Sequence, residues 1–271
     1  FMDIVIGNRL YLYDSSLLPF RARGFDYKNG IAIGPRDFVQ VYAGNINGDD
    51  LDDVVGVYDD GSFEIFLTVH DMANDELVAA SKGIGFHSMG VQTKLVGYKI
   101  TTVNFIRTLK GYGTDCRDDG EEGCGTEQRA VFVGTEDSDD YMWVSPQVQE
   151  NNPLIMDFSF VFSPLVNTKH RTLSSAHFFT DMEKKHEALL IGTGRESPNA
   201  LAYLGVEGFA ERYVGQGQRY VETVAVAAER VNVGVNLLCF ANKGAKNSCI
   251  RMEVDEDNDR QNKVVGDLGT S

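Results

Sequence analysis

The feature that most constrains this chain is a unit that returns along it: an apolar strand, a short polar loop, and a second apolar strand ending near a glycine. A turn and a third strand follow. Such periodicity limits the fold before composition does, because each unit has apolar surface that only a neighbouring unit can cover. The clearest copy, Phe38–Val69, reads FVQVYAGNINGDDLDDVVGVYDDGSFEIFLTV. FVQVYA alternates as a strand, NINGDDLDD is the loop, and VVGVY is the second strand. Asp59-Asp60-Gly61 is a hairpin signal, and SFEIFLTV alternates again.

Weaker copies keep the phase. MDIVIGNRLYLY (Met2–Tyr13) reads as the second and third strands of a copy. Thr101–Phe105 supplies a first strand, and Arg129–Val144 the second and third. Ser175–Thr180 leads through DMEKKHE to ALLIGTG and then ALAYLG. Glu222–Ala228 leads through the loop ERVNVGVN to LLCFAN, with CIRMEV returning. The final KVVGDLGTS reads as a further first strand, with a loop opening at Asp267. The residues that close each loop are Asp3, Asp53, Ala130, Ala188 and Asn236, spaced by 50, 77, 58 and 48 positions.

A period of this size with three or four strands predicts an all-β chain built from β-propeller blades. The expectation is one domain over residues 1–271, with about five repeat periods. Either the five close on themselves or they form a slice of a larger ring. A β-sandwich is the competing all-β architecture, but it gives no reason for the pattern to return in phase. The chain opens Phe1-Met2-Asp3 directly into strand-like sequence and reads as a piece of a longer protein.

Composition narrows the partners. A formal net charge of −15 disfavours nucleic acid, which calls for a basic surface, and suits divalent cations. No apolar run approaches the roughly 18 residues of a membrane span. The four cysteines form two close pairs. Cys116 and Cys124 bracket a polar insertion, and Cys239 and Cys249 flank a hairpin-like turn. Two local disulfides, and with them an oxidising, extracellular setting, are the expectation; four free thiols are the alternative. A CxxC spacing is absent, which disfavours zinc.

The loop Asn45–Asp53 carries the chemistry. Asn45, Asn47, Asp49 and Asp53 place side-chain oxygens at alternate positions, with the carbonyl of Leu51 between the last two. A curled loop can turn such a series inward, and Gly48 permits the bend. Calcium takes six to eight hard oxygens at about 2.3–2.6 Å. The acidic residues Asp49, Asp50, Asp52 and Asp53 would repel one another without a cation. The plainer alternative is a solvated turn held by Asx hydrogen bonds.

On these residues Phe38–Val69 resembles the FG-GAP or VCBS repeat of integrin α-subunit propellers and many secreted proteins. That family's loop runs Asp-x-Asp/Asn-Gly-Asp-Gly-x-x-Asp, followed by an apolar strand and glycine. Asn47, Gly48, Asp49 and Asp53 match. Asn45 stands at the first position, Asp50 replaces the second glycine, and Gly56 arrives one residue early. The resemblance implies a structural Ca2+ ion held by Asn45, Asn47, Asp49, Leu51 and Asp53. The loops at Thr180–Ala188 and Ala228–Asn236 lack the ligands. Asp267 and Asp3 would sit at the first and ninth positions of two half-loops.

Other constellations are weaker. GFHSMG around Ser88 is not a Gly-x-Ser-x-Gly elbow and reads as a surface loop. Gly192-Thr193-Gly194 and Gly215-Gln216-Gly217 lack a βαβ context. His70, His87, His170, His177 and His186 form no metal spacing, and His177 reads as packed or hydrogen-bonded within a strand. Asp137, Asp139 and Asp140 read as a solvated hairpin tip. Tyr141, Trp143 and Phe63 read as fillers between blades.

The expected function is therefore that of a non-enzymatic, extracellular, calcium-binding propeller. It would act in adhesion, surface assembly or protein–protein interaction within a larger chain or assembly. Its partners would be proteins or glycans at the cell surface or matrix, not nucleic acid. The alternatives are a lectin-like carbohydrate-binding propeller and a lyase or hydrolase on the same scaffold, for which no acid/base group stands at a recognisable spacing. Fold alone does not separate them.

Overall fold

The computed structural model describes residues 4–12, 30–47, 51–70, 84–109, 127–136, 141–145, 159–162, 171–179, 187–194, 199–205, 208–213, 222–232, 234–253 and 263–267. Every regular element among them is a strand, and the strands form five antiparallel sheets. The chain divides into two compact units, Phe1–Gly97 and Tyr98–Ser271.

In the first unit, β1 (Ile4–Ile6), β2 (Arg9–Tyr11) and β3 (Ile31–Ala32) form a three-stranded sheet in chain order. Gly7, at φ 58°, makes the left-handed turn between β1 and β2. β4 (Gln40–Gly44), β5 (Asp53–Val57), β6 (Phe63–His70) and β7 (Ile84–Gln92) form a four-stranded meander. All of β5 and Phe63–Leu67 of β6 are buried, which is why these central strands read as near-continuous apolar runs.

The core of this unit gathers Ile33, Phe38, Val54, Tyr58 and Phe66, with Val5, Leu10, Val41 and Phe86 packed against it. Phe38 is its wedge. Its ring centroid lies 5.6 Å from that of Tyr58 and 5.7 Å from that of Phe66. The ring also covers Gly56 so closely that a Cβ there would meet it at 2.3 Å. The glycine of the repeat is thus a seat for an aromatic ring.

The hairpin at Asp59-Asp60-Gly61 forms as its sequence predicts. Tyr58 N–H donates to the Ser62 carbonyl at 2.9 Å, and Gly61 adopts φ 83°. The Asp60 carboxylate accepts both the N–H and the hydroxyl of Ser62, bonds that hold its pKa below the ordinary carboxylate value.

The second unit repeats one sheet design three times. Its strands are β8 (Ile100–Leu109), β9 (Glu127–Thr135), β10 (Tyr141–Ser145), β11 (Ser159–Phe162), β12 (Thr172–Phe179), β13 (Glu187–Thr193), β14 (Ala200–Gly205), β15 (Gly208–Tyr213), β16 (Glu222–Asn232), β17 (Val235–Lys243), β18 (Ser248–Glu253) and β19 (Lys263–Asp267). Each run of four forms a meander in chain order. The first strands β8, β12 and β16 lie side by side, so adjacent sheets meet along their opening strands.

Glycine and threonine make that meeting possible. A Cβ on Gly134 of β9 would stand 2.7 Å from the methyl of Thr172, the first residue of the next sheet. A Cβ on Gly192 of β13 would stand 3.0 Å from the methyl of Thr223 in the sheet after that. Polar bonds run beside these notches. Thr101 donates to the Thr172 carbonyl at 2.6 Å, Thr102 bonds Ser175 at 2.8 Å, and Asn199 donates to Thr223 at 2.9 Å. Between the second and third sheets, Phe178, Ala188, Leu190, Leu201, Leu238, Phe240 and Met252 form the buried core.

Several boundaries differ from the sequence reading. KVVGD is not a first strand. It is β19, the outer fourth strand of the last sheet, where Asp267 stands opposite Ile250. Asp267 is the last residue of β19, while Asp3 and the residues after Asp267 lie outside the described residues. ERVNVGVN is not a loop either: β16 runs through Asn232 and β17 begins at Val235, with Gly234 at φ 68° in the tight turn. GFHSMG belongs to β7, not to a surface loop. The closing residues Asp53, Ala130, Ala188 and Asn236 do recur near the start of each second strand.

Candidate metal site

β4 and β5 pair up to the step Gly44↔Asp53, so residues 45–52 leave and return at one point of the ladder. Asp53 is fully buried and Asn47 is 1% exposed. One oxygen of the Asp53 carboxylate accepts the N–H of Ile46 at 2.7 Å and that of Asn47 at 3.3 Å; the other accepts the N–H of Thr68 in β6 at 2.9 Å. The loop head is thus folded onto its closing residue. The closing residue is not part of a solvated turn.

Asn45 and Leu51 flank this centre and are half-buried; Asp49 lies outside the described residues. The residues that the sequence nominates carry amide, carboxylate and carbonyl oxygens, the hard set that calcium takes. Among the described residues, no three His, Cys, Asp or Glu side chains gather as a metal group. The expected set has two carboxylates, Asp49 and Asp53, and otherwise neutral oxygens. The three amide bonds to Asp53 are also a brace in themselves.

Sequence reasoning missed a second buried carboxylate in the same unit. Glu64 of β6 is 5% exposed and accepts hydrogen bonds from the Tyr58 hydroxyl at 2.6 Å and from Ser88 of β7. A shift in register between Glu64 and Phe66 on the β6–β7 ladder, with Gly90 at φ 85°, sets Ser88 beneath the carboxylate. The Arg36 guanidinium lies 3.7 Å over the Tyr58 ring. Burial, then the bond to Glu64, pushes the Tyr58 pKa up to about 12. Burial alone does the same for Tyr42. Its two partners come from the β5–β6 hairpin and from β7, which the spacing of residues along the chain does not bring together.

The remaining sequence candidates are dispersed. Cys239 and Cys249 face each other across β17 and β18 and are joined, with Cα atoms 4.0 Å apart. Cys116 and Cys124 lie outside the described residues, as do Asp137, Asp139, Asp140, His170, His186 and the Gly215-Gln216-Gly217 fragment. His177 is exposed on β12, not packed. Phe63 is fully buried. No helix among the described residues is long and apolar enough to cross a membrane.

Among the described residues the fold defines a class no finer than an all-β chain of antiparallel meanders, four of them four-stranded. No family model matches the chain, and no curated protein is significantly similar to it.

Proposed function

We propose that this chain is a calcium-braced propeller segment of the FG-GAP/VCBS kind, acting outside the cell as a non-enzymatic interaction module. The observation that carries the reading is the fold of the loop head onto Asp53, with amide bonds from Ile46 and Asn47 at one carboxylate oxygen. The ion would be held by Asn45, Asn47, Asp49, the Leu51 carbonyl and Asp53. When bound, it supplies charge neutralisation for an acidic loop and fixes the link between β4 and β5; it performs no reaction.

Two further observations support the propeller. The same four-stranded meander recurs, and in the second unit the opening strands β8, β12 and β16 stand side by side, as the inner strands of successive blades do. The Cys239–Cys249 bond favours an oxidising setting. The net charge of −15 suits a basic or cation-bridged protein partner.

The test is thermal unfolding of the full chain in calcium, in magnesium and in chelator. The reading expects a higher melting temperature in calcium only. Equal melting in all three conditions sinks it.

A further inference from the structure

The Cys239–Cys249 bond joins strands that are already held without it. β17 and β18 pair continuously from Val235↔Glu253 to Phe240↔Ser248. The bond spans 10 positions, and its turn has ties of its own: Asn242 N–H donates to Asn247 Oδ1 at 2.9 Å, and Asn242 Nδ2 donates to the Lys246 carbonyl at 2.7 Å. Gly244, at φ 74°, completes it. A cross-link constrains the unfolded chain least when its loop is short.

Position matters as much as loop length. Strand alternation sends Leu238, Phe240 and Met252 into the core of the unit, with Ile250 packed beside them. Both cysteines lie on the other face and are partly buried. The bond thus lies outside the core cluster, and access to a sulfur is a condition for exchange.

We propose that Cys239–Cys249 is a thiol–disulfide exchange site of the folded protein, with a dithiol as its reaction partner. One thiolate of the dithiol attacks a cysteine sulfur; the Cys239–Cys249 bond breaks, and the other cysteine leaves as a thiolate. The second thiolate of the partner then attacks the mixed disulfide. The dithiol leaves oxidised to a cyclic disulfide, and the two cysteines take up two electrons and two protons. The β17–β18 ladder sets Cys239 opposite Cys249, so the reduced pair stays adjacent, a clamp for a soft trivalent arsenical.

The test treats the full chain in native buffer with graded dithiothreitol, followed by alkylation and peptide mapping that reads Cys239 and Cys249 separately. The proposal expects both to label together with the sheet signal in circular dichroism intact. The melting temperature should fall by a few degrees, to that of the Cys239→Ser/Cys249→Ser chain. The reduced protein should also take up phenylarsine oxide, bridged between these two residues. Labelling that begins only with denaturant, or only as the sheet signal is lost, overturns the proposal. So does a reduced protein whose Cys239 and Cys249 fail to hold the arsenical.

Discussion

Asp53 holds Thr68 by one bond, and Thr68 reaches back to the neighbouring Asp52 by a second. The Asp53 carboxylate accepts the Thr68 N–H at 2.9 Å, and the Thr68 hydroxyl donates to the carbonyl of Asp52 at 2.6 Å. The regular β5–β6 ladder runs from Val54↔Phe66 to Val57↔Phe63. The tie to Thr68 therefore extends the ladder beyond its end and fastens the oxygen-rich loop to the buried strand beside it.

Replacing Asp53 removes one acceptor from three N–H groups at once. Asp53→Ala should destabilise the first unit by roughly 3 kcal/mol or more, since each buried unsatisfied donor costs about 1–3 kcal/mol. Asp53→Asn should cost less, because its remaining oxygen still accepts. Urea unfolding in chelator reads both without any contribution from metal.

The glycine notches predict coupled substitutions. Gly134→Ala drives a Cβ to 2.7 Å from the methyls of Thr102 and Thr172. Overpacking of this kind costs roughly 1–3 kcal/mol. Thr172→Ser removes one of the two methyls, so the double variant should be more stable than the sum of the single effects. A double-mutant cycle by chemical denaturation measures that coupling.

Much of this architecture is legible in the sequence, and the illegible parts have physical reasons. VVGV, VFVGT and LLIGT announce themselves because the second strands are buried on both faces, and their glycines seat neighbouring side chains. The fourth strands do not. IGFHSMGVQ has a mixed, largely accessible pattern without period 2, and KVVGD carries no sign of which neighbour it joins. ERVNVGVN looks like a loop because it is polar, yet the outer reach of β16 is exposed, and a register shift between Arg230 and Asn232 lets pairing continue through it. The spacing of Asn45, Asn47 and Asp53 points to the loop. Thr68 cannot be read as its partner, because that bond arises from the way β5 lies on β6.

Glu136 gives a pH test in the second unit. Its hydrogen bonds with Lys99 and Arg171 hold its pKa below the ordinary 4.5. A depressed carboxylate contributes stability that is present above its unfolded value and is lost as pH falls through its folded value. Glu136→Gln should therefore be less stable than the parent above about pH 4.5, and the gap should close on further acidification. Both cations are half or more exposed, so the gap should be small and should shrink in salt. Melting temperatures of the two chains across acid pH test it.

Tyr58 gives the alkaline counterpart. Its pKa stands at about 12 against an ordinary 10.0, so its neutral form is favoured in the folded state. That contribution is full below about pH 10 and is lost as pH rises towards the folded value. Tyr58→Phe should remove this share of the alkaline loss and leave that of Tyr42. At neutral pH it should cost about 1–3 kcal/mol, because Glu64 loses a donor. Denaturation curves at neutral and alkaline pH separate the two effects.

The calcium loop itself is tested most directly by isothermal titration of the chelator-stripped full chain with calcium. The account predicts saturable binding that is abolished in Asp49→Ala while the sheet signal in circular dichroism persists. Heats no larger than those of dilution, or undiminished binding by the Asp49→Ala chain, would contradict it.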